Sequence, residues 1–238
     1  MNGFQLLHDG VEVQLSETAE RLLAVLAVKG KSIHRLKLSA MFWPDASEKQ
    51  ALANLRSALW RLNGPAHDAL DIAPRSLSIA TSVRVDLHAS QDLAHRILDR
   101  TSVLTDDQLL ATATHLQDDL LAGWYDEWAI QEAERWRQLR MHALEAAARR
   151  LGEATHFAAA LDIALLAVEA DPLRESAHTE VIKAHLAEHN HSEAIRAYDR
   201  CCSILRDELG LEPSEHLRTL VKRSTLPVTP AVQPLTRR

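Results

Sequence analysis

The sequence predicts a mainly α-helical fold with a small β component, built in two parts. Three observations point there. Hydrophobic residues make up 46% of the 238 residues, with only seven Gly and eight Pro to interrupt them, so long helices have room and material for a core. Short apolar runs bounded by turn residues occur only in the first ninety residues. From about residue 91 onward the apolar residues recur at helical spacing.

The first element is a hairpin. Phe4–Leu7 and Val11–Leu15 are apolar-rich and flank His8-Asp9-Gly10, and Asp-Gly between such runs is a strong turn signal. Ser16 then caps a helix whose first turn holds Glu17 and Glu20, where the helix dipole favours anions. Leu22, Leu23, Leu26 and Val28 form its apolar face, and Gly30 ends it. A second helix is expected from Ser32, punctuated by Ile33, Leu36, Leu38 and Phe42 and stopped by Pro44.

The third helix starts at Ser47, which forms an S-x-x-Q capping box with Gln50. Ala51, Leu52, Leu55, Ala58, Leu59 and Leu62 fall on one side. The other side carries Lys49, Gln50, Ala53, Asn54, Arg56, Ser57, Trp60 and Arg61, types that reach phosphates and base edges. Trp60 is expected to pack under the following hairpin, with contact to sugar-phosphate as the alternative. Asn63-Gly64-Pro65 breaks the helix. Residues 69–86 then read as a hairpin turning at Ala73-Pro74-Arg75-Ser76 plus one further extended piece at Val83-Arg84-Val85. Strand pair, three helices and hairpin, in that order, are the plan of a winged helix-turn-helix, with Arg75 near the tip of the wing.

Charge supports a binding face. The whole chain carries −6, but residues 1–85 hold ten Lys/Arg against eight Asp/Glu, and residues 86–238 hold seventeen against twenty-five. Within 29–61 seven basic residues (Lys29, Lys31, Arg35, Lys37, Lys49, Arg56, Arg61) face only Asp45 and Glu48. A basic face on an acidic companion suits nucleic acid.

Residues 106–121 are expected to form one helix, and a long helix is expected from about Asp126 to Leu151. Trp124 and Trp128 are expected as buried anchors between helices. An offset of 34 residues relates Ala160-Leu161 to Ala194-Ile195, Ala164 to Tyr198 and Ala167 to Cys201. That is the tetratricopeptide period, and Pro172 closes the first unit. Pro213–Arg223 reads as a final helix, and 224–238, with Pro227, Pro230 and Pro234, as a disordered tail.

Catalytic signals are missing. Neither phosphate-cradling motif, G-x-x-x-x-G-K-[ST] or G-x-G-x-x-G, occurs. Asp106-Asp107 and Asp118-Asp119 lie among polar residues and are expected to have no basic or nucleophilic partner. His185, His189 and His191 fall at a helix corner where polar residues are ordinary, and Cys201-Cys202 read as buried, inert thiols. No enzyme, cofactor or metal is expected. With no basic-then-apolar leader, no membrane-length apolar run and only two Cys, the expectation is a cytoplasmic protein.

Several segments together resemble the Streptomyces antibiotic regulatory protein family, an OmpR-type winged helix followed by a bacterial transcriptional activator domain. The carriers in the first part are Leu15-Ser16, Phe42-Trp43-Pro44-Asp45-Ala46-Ser47 and Asn54-Leu55-Arg56-Ser57-Ala58-Leu59-Trp60-Arg61-Leu62. In the second they are Leu120-Leu121-Ala122-Gly123-Trp124-Tyr125-Asp126-Glu127-Trp128, Asp171-Pro172-Leu173-Arg174-Glu175-Ser176-Ala177-His178 and Leu205-Arg206-Asp207-Glu208-Leu209-Gly210-Leu211-Glu212-Pro213. The resemblance implies a winged-helix domain over 1–90 and an activator domain over 91–223. It also implies a transcription regulator that binds promoter direct repeats, pairs on DNA and contacts RNA polymerase, the latter through Trp43–Ala46. Lys49, Asn54, Arg56, Ser57, Trp60 and Arg61 would meet the major groove, and Arg75 the minor groove. The competing expectation is an interaction protein whose helical repeats bind a partner, with a degenerate winged helix.

Overall fold

The structure, a computed structural model, describes residues 3–225. The tail expected over 224–238 lies, from residue 226 on, outside the described residues. The chain divides into two compact units. The first comprises the chain up to His95 together with Asp118–Arg140, and the second comprises Arg96–Gln117 and the chain from Met141 on.

The first unit opens with the expected hairpin, β1 (Leu7–His8) and β2 (Val11–Glu12), with His8 opposite Val11. Its two-residue turn puts both Asp9 (φ 50°) and Gly10 (φ 79°) in the left-handed region, the type I′ geometry that matches strand twist and that Asp-Gly supplies. Helix α1 (Glu17–Lys29) begins where Ser16 Oγ accepts from Ala19 N and ends at Gly30, whose φ of 60° lets its N–H reach Leu26 O. His88 Nε2 donates to Ala27 O at 2.8 Å, so the C-terminus of α1 is tied down by a side chain 61 residues on.

The second helix does not start at Ser32. Ile33–His34 form a strand, β3, and α2 runs Arg35–Phe42. Ile33 is β-branched and buried, and it pairs with Leu77, so a sheet position outweighs the first turn of a helix. His34 caps α2, accepting from Leu36 N through Nδ1. Helix α3 spans Glu48–Arg61 and buries Ala51, Leu55 and Leu59. A short helix α4 (Gly64–Asp68), absent from the sequence reading, uses Pro65 in its first turn. The hairpin follows as β4 (Leu70–Ile72) and β5 (Ser76–Ile79). The sheet is three-stranded, ordered β3-β5-β4 and antiparallel throughout. Its third strand is therefore the upstream Ile33–His34, and Val83–Val85, read as extended, joins no ladder.

Leu22, Leu23 and Leu26 of α1, Leu38 of α2, Leu55 of α3 and Leu77 of β5 are nearly inaccessible. Each such burial contributes roughly 1.5–3 kcal/mol before the entropy of ordering is subtracted. The segment Asp118–Arg140 completes this unit. Arg21 pairs with Asp126 and stacks its guanidinium 5.2 Å from the Phe42 ring centroid, and Lys29 Nζ donates to Glu132 Oε1 at 2.5 Å. Trp128 is buried, and Trp124, half-buried, meets it edge-on with ring centroids 5.9 Å apart.

Helix α5 (Asp86–Leu98) leads out of the wing region. The single helix expected over 106–121 is instead two short ones, α6 (Asp106–Leu110) and α7 (Thr112–Leu116), followed by irregular chain. Tertiary bonds draw the irregular part out of helix. Trp136 Nε1 donates to Asp118 O at 3.0 Å, and Arg140 donates to the Asp119 carboxylate at 2.5 Å. Asp119 thus has a basic partner, which its sequence neighbours did not reveal. Helix α6 opens with a reciprocal capping box between Thr105 and Gln108.

The long helix α8 (Glu127–Glu153) starts in the first unit and ends in the second. The second unit then stacks α9 (Phe157–Ala170), α10 (Glu175–Ala187), α11 (His191–Leu209) and α12 (Glu215–Thr225). Ala160, Ala164 and Ala167 of α9 are buried, as are Ala194 and Cys201 of α11, the small-residue slots of the 34-residue offset. Burial, helped by the nearby Glu175 charge, pushes the Cys201 thiol up to about 12.

The segment 171–178 is bonded to the elements on either side of it. Glu175, at the start of α10, accepts from Ser214 N at 2.9 Å and from Ser214 Oγ, which caps the entry to α12. Arg174 and Ser176 both donate to Glu145 on α8, and His178 Nε2 donates to Pro172 O at 2.8 Å. The Asp-Pro-Leu-Arg-Glu-Ser-Ala-His run is therefore a junction of three helices. Gly210, at φ 67°, ends α11 and turns the chain toward Pro213.

Candidate nucleic-acid interface

Helix α3 presents its polar side outward. Ser47 Oγ accepts from Gln50 N at 3.3 Å, but the Gln50 side chain does not close the box. Its Nε2 donates instead to Asn54 Oδ1 at 3.0 Å, linking two amides one turn apart on the outer face. Lys49, Arg56, Ser57 and Arg61 are all exposed, and Asn54 is half-exposed. Ser57 Oγ donates back to Ala53 O at 3.1 Å, which uses its proton and leaves the oxygen as an acceptor.

Trp60 does not pack under the wing. It is 87% exposed, on the same side as Arg56 and Ser57. In the sheet β5 lies between β4 and β3.

Arg75 lies at the turn of that hairpin, as expected, and is exposed. The turn is closed by Ala73 N donating to Ser76 O at 3.1 Å and needs no glycine. Arg35 braces it from the helix side. Its backbone N donates to Arg75 O at 2.9 Å and its Nε to Ala73 O at 3.1 Å. A cleft of about 400 Å³ runs between the hairpin tip and α3, with His34, Arg35, Arg56 and Arg75 among its walls and Glu48 as its one acid. Arg35 and His34 belong to this site and were missed. With a helix assumed from Ser32, nothing in the sequence showed that β3 pairs with β5 and brings Arg35 to the tip.

The arrangement gathers guanidinium groups from three elements around one cleft, beside a helix with exposed amide, hydroxyl and ammonium groups. Guanidinium matches the bidentate geometry of phosphate and of guanine O6/N7, and the amides match adenine. Among the described residues no group of His, Cys, Asp and Glu is arranged to hold a metal ion, and no helix is long and apolar enough to cross a membrane.

The model of the bacterial transcriptional activator domain family matches residues 85–223. The chain belongs to that family. No curated protein sequence matches it. Among solved structures, Mycobacterium tuberculosis EmbR in complex with a low-affinity phosphopeptide is similar, with a TM-score of 0.65 and 19% identity. The likeness covers 94% of this chain and 63% of that one, so this chain spans less than two thirds of the EmbR chain's length. At that identity it shows the fold: a winged-helix region followed by tetratricopeptide-like activator helices.

Proposed function

We propose that this activator-family protein binds double-stranded promoter DNA through the outer face of α3 and the β4–β5 wing, recognises direct repeats as paired copies, and contacts RNA polymerase. The observation that carries the reading is the convergence of Arg56 of α3 with Arg75 of the wing and Arg35 behind it on one open cleft. Helix α3 lies in the major groove with Lys49, Asn54, Arg56, Ser57, Trp60 and Arg61 toward the DNA, while Arg75 reaches the adjacent minor groove. The Trp43–Ala46 loop, where Pro44 and Asp45 are exposed, is the polymerase contact. The protein acts by recruitment and has no catalytic step of its own.

Titration of the full chain and of Arg56→Ala and Arg61→Ala against a bound promoter duplex tests the assignment. Both variants are expected to bind more weakly, and the one that makes a bidentate base contact to lose about 1–3 kcal/mol of discrimination at one base pair. Unchanged affinity in both would remove α3 as the reading helix. The second reading, an interaction module, draws on the apolar side chains that the second unit exposes, Leu165, Ile195, Leu209 and Leu211. Weak, sequence-indifferent DNA binding beside tight capture of a defined protein would favour it.

A further inference from the structure

Trp60, the most exposed large apolar side chain of α3, is turned toward the DNA in the reading above, and its chemistry limits what it can meet there. At about 100° per residue, Ala53 and Trp60 lie within roughly 20° of one line along the helix, close to the direction opposite the buried Ala51, Leu55 and Leu59. Lys49 and Arg56 flank this line on one side, and Gln50, Asn54, Ser57 and Arg61 on the other. Trp60 and the half-exposed Ala53 therefore form an apolar line on the presented face, with charged and polar side chains on both sides of it. An exposed indole is costly in water, and nothing among the described residues covers it.

The major groove offers one apolar feature on its base edges, the C5-methyl group of thymine. Polar and basic side chains beside the indole fit the phosphates and base heteroatoms on either side of such a methyl. Resting on the DNA reading above, we propose that Trp60, with Ala53 two turns before it, is a specificity-determining residue that reads thymine methyl groups. The two contacts are about 10 Å apart along the helix, so they fall on different base pairs.

The test uses the full chain and the duplex it selects from a random pool. Each thymine of that duplex is replaced in turn by uracil, which keeps the base pair and removes only the methyl. At one or two thymines the replacement is expected to weaken the unaltered protein about fourfold, the worth of burying one methyl. Trp60→Ala should bind with no further loss at one of those positions and should select a sequence without the thymine preference there. Trp60→Phe, which keeps an apolar face, should retain the preference. Because the side chain is exposed, the melting temperature of Trp60→Ala should stay within error of the parent, which separates a reading role from a folding one.

Indifference to uracil at every thymine, or the same uracil penalty in Trp60→Ala, would overturn the proposal while leaving DNA binding intact. A loss in Trp60→Ala confined to duplexes with two half-sites, absent on one half-site, would assign Trp60 to a contact between neighbouring copies and overturn it too. If the pool yields no enriched sequence, the DNA reading itself fails and the proposal with it.

Discussion

At the residue scale, the side chains divide by what they can exchange with solvent. Lys49 is exposed near the start of α3, and as a point charge on a flexible stem it suits phosphate rather than a base. Lys49→Ala is therefore expected to weaken binding about equally on all sequences and to lower the slope of log affinity against log salt by about 1, measured between two duplexes of unrelated sequence. A sequence-dependent loss would instead make Lys49 a base contact. Cys201 is the opposite case, a thiol whose proton is kept by burial. Its ordinary value of 9.0 rises to about 12 in the folded chain, so between those values the folded state holds a proton that the unfolded state has released. Stability is accordingly lost as pH rises through that window, and denaturant melts at pH 8 and pH 10 should show a lower midpoint at the higher value. At neutral pH alkylation of the native protein should mark Cys202, which is half-buried, and spare Cys201 until unfolding. Equal labelling of both would contradict the packing of α11.

At the element scale, the signals that proved legible were local. Ser16, Ser47, Gly30 and Asp9-Gly10 act on groups two to four residues away, so their geometry is written where they stand. The same locality makes Gly30 a sensitive position. Its φ is 60°, and a Cβ there would come within 3.0 Å of the His88 ring that holds Ala27 O. Gly30→Ala is expected to cost about 1–2 kcal/mol from the left-handed backbone alone, visible as a lower melting temperature. A neutral effect would mean that α1 ends differently. What escaped the sequence was set from a distance. Ile33 looks like the first apolar residue of a helix until its partner Leu77 is known. Residues 117–121 carry a helical pattern, yet Trp136 and Arg140 capture the backbone of Asp118 and the carboxylate of Asp119. Trp60 was placed by its hydrophobicity, which argues for cover, when its angular position on α3 argues for presentation. Arg35 entered the site only with the corrected β3, so one misplaced helix start hid both the third strand and a site residue.

At the scale of the whole molecule, sequence family and physical unit do not share a boundary. The activator-domain match begins at residue 85, whereas the compact unit around the winged helix also takes in Asp118–Arg140. Arg21 and Lys29 of α1 find their carboxylates, Asp126 and Glu132, in that later stretch. A fragment ending at residue 95 should therefore melt lower than one ending at residue 140, and mutation of Asp126 in the longer fragment should recover part of the difference. Identical melting of the two would make the later stretch a passenger on the winged helix. The charge distribution follows the same division: residues 86–238 carry the excess of acid, and the basic residues concentrate around α2 and α3.

The central claim, that α3 and the wing make this activator-family protein a sequence reader, is tested most directly by selecting bound duplexes from a random pool with the full chain and titrating the winner at two salt concentrations. The account predicts an enriched motif repeated at fixed spacing, with affinity falling steeply as salt rises because several phosphate contacts release counterions. A pool without enrichment, bound weakly and equally at all sequences, would contradict it.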